Sequence, residues 1–153
     1  MHRRISLSAA LATLASLSAL SVPASARTYM ASGGRAMNGP SQASFNSPNG
    51  IVYNTTSTSE TWVMPLMFDN AGARTITVRG KANVGAVLSC QAIAWKTDGT
   101  SASISSVVQF PANGQWTAIV LSLTSIPGSS VGAVSCVVSG PSNAQLLGLD
   151  YLQ

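Results

Sequence analysis

Histidine is almost absent from this sequence, and this limits the chemistry that the protein can perform. The one histidine, His2, falls in an N-terminal segment that we expect to be removed. Without it the chain lacks the commonest general base and the commonest metal ligand of proteins. An enzyme would need two of the four carboxylates, Glu60, Asp69, Asp98 and Asp150, to converge in one cleft. We therefore predict a non-enzymatic protein without a metal or another cofactor.

Charge is also scarce, since Asp, Glu, Lys and Arg together make up 8% of the residues. Removal of Arg3 and Arg4 with the N-terminal segment would leave six basic and four acidic side chains, a net charge of +2. No dense run of lysine and arginine is present to neutralise phosphates. We do not expect a nucleic-acid partner.

The N-terminal segment has the pattern of a Sec-type signal peptide. Arg3 and Arg4 precede an apolar run over residues 5–22, and the small residues Ala-Ser-Ala end at Ala26. We predict a signal peptide over residues 1–26, cleaved between Ala26 and Arg27; an uncleaved membrane anchor is the alternative. No later stretch is long and apolar enough to span a bilayer. A secreted or periplasmic protein, not inserted in the membrane after cleavage, is expected.

The sequence contains only two cysteines, Cys90 and Cys136. In an oxidising compartment an even pair of cysteines predicts a disulfide, and two free buried thiols are the alternative. The spacing does not say whether the bridged strands are paired in one sheet or face each other.

Helical periodicity is absent after the signal peptide, and short β-branched runs separated by Gly, Asn, Asp, Ser and Pro take its place. We predict a turn-rich flexible or edge segment over 27–49 and a β-sandwich domain over 50–153. The expected fold is an antiparallel β-sandwich of about eight strands, jelly-roll or Ig-like, and a closed β-barrel is the alternative. The predicted strands cover residues 50–54, 61–68, 74–80, 87–95, 104–110, 116–123, 131–139 and 144–153.

Two of these strands carry more specific predictions. Pro65 interrupts the second strand, and because proline has no backbone N–H it predicts a sheet edge or a bulge. The strand over 116–123, WTAIVLSL, is apolar on both faces and is therefore predicted to lie at the centre of a sheet.

Four segments together resemble a family of small secreted bacterial β-sandwich proteins of unknown function. They are GIVYNTTSTSETWVMPLMFDN, a strand ending near RG, SCQAIAWKTDGT and VSCVVSGPSNAQLLGLDYLQ, and they cover most of residues 50–153. The family pattern includes a Val-x-Cys-Pro-Leu segment, in which Met64 replaces the cysteine here. The resemblance implies that Met37 and Met64 fill the place of a second disulfide; simple core packing of Met64 is the alternative. The resemblance transfers no catalytic or binding residue to this chain.

Tryptophan supplies the remaining candidates for function. Exposed Trp side chains on β-sandwiches stack on sugar rings, and Trp95, just before the polar turn KTDGTS, is the first candidate, followed by Trp62. Filling the ends of the core is the alternative role of both rings. We predict a polysaccharide or another cell-surface ligand. A structural, self-associating protein of the envelope or extracellular matrix is the second hypothesis, and the sequence leaves the oligomeric state open.

Overall fold

The computed structural model of the protein describes residues 26–99 and 101–152 and is almost entirely β-structure. The predicted signal peptide lies outside the described residues except for Ala26, which begins the first strand and is followed there by Arg27. Three short 3₁₀ helices, Ala31–Gly33, Gly39–Ser44 and Pro48–Gly50, lie in the turn-rich segment. No helix within the described residues has the length and apolarity to cross a membrane. The strands are β1 (Ala26–Met30), β2 (Arg35–Ala36), β3 (Phe45–Asn46), β4 (Val52–Asn54), β5 (Glu60–Phe68), β6 (Gly72–Ala82), β7 (Leu88–Trp95), β8 (Ser101–Ile104), β9 (Val108–Gln109), β10 (Trp116–Ile126), β11 (Ser130–Val138) and β12 (Ala144–Leu152).

The strands form two antiparallel sheets that pack face to face. Sheet A has the order β10-β6-β12-β4-β3, with β1 also paired to β12. Sheet B has the order β2-β5-β11-β7-β8, with β9 also paired to β7. The prediction of an antiparallel β-sandwich is confirmed. The two sheets keep separate open edges, which distinguishes this sandwich from the closed barrel that the sequence also allowed.

The segment predicted as a flexible or edge element contributes to both sheets. β1 pairs with β12 and β3 with β4 in sheet A, while β2 pairs with β5 in sheet B. Within the described residues, the sandwich therefore includes strands ahead of the boundary predicted at Gly50.

The core lies between the sheets and follows the two-residue period of the strands. In β7, for example, Leu88, Cys90, Ala92 and Ala94 are buried while the intervening residues are partly exposed. A chain of this size can bury one such core without a second domain.

The two cysteines form a disulfide inside this core, as predicted. Cys90 on β7 and Cys136 on β11 are direct cross-strand partners, with Cα atoms 4.1 Å apart. Both side chains are buried. The bridge therefore joins paired strands of sheet B, which decides between the two arrangements that the sequence left open.

Pro65 lies where β5 has no neighbouring strand on one side. β2 pairs only with Trp62 and Val63, so the rest of β5 is an edge beside β11. Two residues further on, the backbone N–H and carbonyl of Met67 bond to the Tyr151 hydroxyl, at 3.3 and 3.1 Å. Backbone groups two residues apart point to the same side of a strand, so the nitrogen of Pro65 faces the same edge, where it needs no hydrogen. The predicted edge is confirmed.

The prediction that residues 116–123 form a central strand is wrong. β10 is the edge strand of sheet A, paired only with β6. Ile119 and Leu121 face the core, whereas Trp116 and Val120 lie on the outer face and are 46% and 52% exposed. The prediction assumed that a strand with apolar residues on both faces is buried on both faces. In β10 the outer apolar face is exposed to solvent instead.

A fully buried asparagine fastens the end of β4 to sheet B. The amide nitrogen of Asn54 donates to the carbonyl oxygens of Thr58 and Val138, at 2.6 and 3.0 Å. Its oxygen accepts from the backbone N–H and the hydroxyl of Thr56, both at 2.9 Å. Because Val138 ends β11, this one side chain connects the end of β4 in sheet A to the end of β11 in sheet B.

Candidate functional site: a groove on the outer face of sheet B

The outer face of sheet B carries a groove that follows from the sizes of its side chains. The middle strand, β11, places the small residues Ala133 and Ser135 on this face. Larger side chains of the neighbouring strands stand on either side, so Ala133 is only 6% exposed although it faces outward. The groove has a volume of about 460 Å³ and is lined by Arg35, Met37, Val63, Gln91, Ile93, Trp95, Ile104, Ala133 and Ser135.

Trp95 ends β7 and stands in one wall of this groove. Its cross-strand partner on β11 is Val131, and its side chain is half-buried. The predicted candidate therefore has a ring surface that a ligand can reach, next to the apolar side chains of Ile93 and Ala133.

Polar groups lie at the other end of the groove. Gln91 is the cross-strand partner of Ser135, and its amide nitrogen donates to the carbonyl oxygen of Ser105 at 2.9 Å. That bond fixes the side chain and leaves its oxygen as an acceptor for a ligand hydroxyl. An apolar groove with a few fixed polar groups is the usual composition of a small-molecule or sugar site.

Arg35 is the one charged residue in the lining of this groove. The other three arginines of the described chain are held by their surroundings: Arg27 pairs with Asp69, Arg79 with Asp150, and Arg74 donates to backbone carbonyls. The exposed Arg35 side chain makes no hydrogen bond or ion pair with any described residue. Sequence reasoning gave no signal for its role, because its place in the groove depends on the pairing of a two-residue strand.

The structure contradicts the prediction that Trp62 contacts a ligand. Trp62 points from β5 into the core and is 2% exposed. Its indole N–H donates to the carbonyl oxygen of Ala31 at 2.8 Å, and its ring packs on Phe45 with centroids 4.7 Å apart. The alternative of core packing holds for this tryptophan, because an even-numbered position of β5 faces inward.

Met37 and Met64 do not replace a second disulfide. Met64 faces the core and is fully buried, whereas Met37 is 68% exposed and lines the groove on the outer face. The two side chains therefore lie on opposite sides of sheet B. Met64 packs in the core, as the alternative interpretation proposed.

Trp116, which was not among the predicted ligand contacts, is the most exposed tryptophan of the described residues. It lies on the outer face of sheet A, opposite Lys81, in a shallow depression of about 290 Å³ shared with Arg79 and Leu147. Its exposure follows from the edge position of β10, which the sequence pattern did not reveal.

An ion pair lies on the same face of sheet A. Arg79 donates to Asp150 at 2.7 Å, and the Thr28 hydroxyl donates to the same carboxylate at 2.8 Å. The hydrogen bond from Arg79, and then that from Thr28, lower the pKa of Asp150 below its ordinary value. No carboxylate lines the groove on sheet B. The described residues contain no group of three or more His, Cys, Asp or Glu side chains that could hold a metal ion.

The sandwich is similar to solved carbohydrate-binding modules. The C-terminal CBM6 of LamC from Zobellia galactanivorans aligns with 84% of this chain and 100% of its own, with a TM-score of 0.58 and 11% identity. A family 35 carbohydrate-binding module from Clostridium thermocellum covers 83% and 97%, with a TM-score of 0.53 and 11% identity. CBM35 of Abf62 from Cellvibrio japonicus covers 84% and 94%, with a TM-score of 0.52 and 11% identity. At these identities the likeness concerns the fold. The chain matches no family model and no curated protein, so the resemblance to a secreted bacterial family stays a prediction.

Proposed function

We propose that this protein is an exported, non-catalytic module that binds a polysaccharide in the groove on the outer face of sheet B. The half-buried ring of Trp95, in the wall of a groove floored by Ala133 and Ser135, is the observation that carries the proposal. A sugar ring has a flat face of C–H groups and a rim of hydroxyls. The indole would pack against the face, while Gln91 and Ser135 would bond to the rim.

The disulfide and the fold give further support. A buried disulfide between paired strands suits an oxidising compartment, in agreement with the predicted signal peptide. The similar sandwiches with TM-scores above 0.5 include several carbohydrate-binding modules. Both observations support a location outside the cytoplasm, in the periplasm or beyond the cell.

Calorimetric titration of the mature, oxidised protein with a panel of neutral and charged polysaccharides tests the proposal. Trp95→Ala should weaken binding at least about 30-fold, the effect of losing a central aromatic contact. Ala133→Leu should abolish binding by filling the floor of the groove. Trp116→Ala, a matched loss of an exposed tryptophan on the other sheet, should leave binding unchanged. Full binding by both Trp95→Ala and Ala133→Leu would refute the proposal.

Fluorescence offers a second readout. In a Trp116→Phe variant, Trp62 is buried and Trp95 becomes the one accessible tryptophan of the described chain. A bound polysaccharide should protect its emission from acrylamide. Equal quenching with and without a ligand that binds would place the binding site elsewhere.

Self-association through the same face is the second candidate function. Met37, Met67, Ile104 and Val131 all lie on the outer face of sheet B and are 68%, 60%, 55% and 52% exposed. An apolar patch of this kind favours an interface. Sedimentation velocity across a hundredfold range of concentration should then show a dimer that Val131→Lys disrupts, and a constant monomer would exclude it.

A further inference from the structure

Arg35 points to the chemical class of the ligand. We propose that the groove binds an anionic polysaccharide, one that carries carboxylate or sulfate groups, and that Arg35 pairs with one of these groups. The inference rests on the proposed function and names its substrate class.

The guanidinium group of Arg35 is isolated from the other charged groups of the described residues. Every other described arginine is bonded to a carboxylate or to backbone carbonyls. Arg35 is exposed, has no such partner among the described residues and lines the groove. Because no carboxylate shares the lining, the groove has an unbalanced positive charge at this end. A guanidinium fork matches the two oxygens of a carboxylate or a sulfate.

Arg35 and Trp95 come from different strands and line the same groove. Arg35 is opposite Val63, which is opposite Ser135, which is opposite Gln91, so three strand spacings, about 14 Å, separate β2 from β7. Trp95 lies four residues further along β7, about 13 Å. These are backbone separations, and both side chains reach into the same groove. A ligand that lies in the groove can therefore contact the indole and the guanidinium together, with a sugar ring stacked on Trp95 and an anionic group paired with Arg35.

The test compares polymers that differ only in charge. Polygalacturonate is titrated beside the same polymer with its carboxylates methyl-esterified, and dextran sulfate beside dextran, using the mature oxidised protein. At least one charged polymer should bind ten times more tightly than its neutral counterpart, and the two pairs distinguish carboxylate from sulfate. Raising the NaCl concentration from 0.05 to 0.5 M should weaken this binding.

Three variants then assign the charge preference to one residue. Arg35→Gln should weaken binding of the charged polymer about 10- to 100-fold, the range expected for a hydrogen bond to a charged group. The affinity of Arg35→Lys should lie between those of the wild type and Arg35→Gln, because lysine keeps the positive charge but cannot form two parallel hydrogen bonds. Lys96→Gln is the matched control: it removes one positive charge from the loop beside Trp95 but not from the groove lining, and should change affinity less than twofold.

The outcomes separate this inference from the proposed function. Equal binding of charged and neutral polymers, or equal losses in Arg35→Gln and Lys96→Gln, would overturn the role of Arg35. If Trp95→Ala still weakened binding and Ala133→Leu still abolished it, the proposed function would stand without the role of Arg35. Failure of every polymer in both pairs and in the wider panel would refute the proposed function and this inference together.

Discussion

Replacement of Asn54 by alanine should be among the most destabilising single changes in this protein. The side chain is fully buried and takes part in four hydrogen bonds, to Thr58, to Val138 and twice to Thr56. Truncation would leave the buried carbonyl of Val138 without this donor, at a cost of about 1–3 kcal/mol. The bonds to Thr56 and Thr58 are partly buried, and water can replace them in part. We expect a total loss of about 3 kcal/mol in the free energy of unfolding.

Urea unfolding at pH 7, followed by tryptophan fluorescence, measures this loss directly, and the melting temperature should fall by about 10 °C. Thr55→Ala is the matched control. The Thr55 hydroxyl donates to the carbonyl oxygen of Ser44 at an exposed position, so its removal should cost well under 1 kcal/mol.

Asn54→Asp refines the test, because it keeps the acceptor for Thr56 but removes the donors to Thr58 and Val138. An ionised carboxylate beside two carbonyl oxygens is unfavourable, which raises the pKa of the introduced acid in the folded state. The variant should therefore lose stability as the pH rises above the ordinary pKa of aspartate, about 3.9. If Asn54→Ala and Thr55→Ala were equally mild, the buried bond to Val138 would not contribute as we infer.

Three further predictions concern the core, the bridge and the outer face of sheet A. Replacing Cys90 and Cys136 together with alanine should cost about 4 kcal/mol, because their separation of 46 residues closes a long loop in the unfolded chain; a loss below 1 kcal/mol in urea unfolding would contradict this. Met64→Ala should cost about 2–4 kcal/mol in the same assay, since the side chain is fully buried, and a neutral result would place it outside the core. The lowered pKa of Asp150, caused chiefly by the hydrogen bond from Arg79, stabilises the fold above the ordinary pKa of the carboxyl, and this contribution is lost as the pH falls through the lowered pKa in the folded state. Asp150→Asn should remove this part of the pH dependence between pH 5 and pH 2, with an amplitude below about 1 kcal/mol because the pair lies at the surface, where solvent screens it; an unchanged pH profile would count against it.

The tryptophans show which site residues local sequence patterns can predict. The polar turn after Trp95 was enough to select this tryptophan, and the structure places its ring in the wall of a groove. Trp62 has a similar sequence context, with polar residues before it, but occupies an inward-facing position of β5. The alternation within a strand is visible in the sequence, yet the choice of which alternate face meets the other sheet is a property of the assembled sandwich. Trp116 illustrates the same limit, because its exposure depends on the edge position of β10.

The sequence by itself determined the antiparallel sandwich, the longer strands from β5 onward and the pairing of its two cysteines, but not the short strands β1 to β3. These features follow from short-range properties: the two-residue period, the turn residues between strands, the proline in β5 and an even count of thiols. Only the tertiary structure decided the order of the strands and the faces that are open to solvent. It also placed Arg35 and Trp95, sixty residues apart in the chain, in the lining of one groove. Such contacts arise from hydrogen-bonded neighbours that are distant in sequence, and a two-residue strand such as β2 gains its position from β5 and not from its own composition.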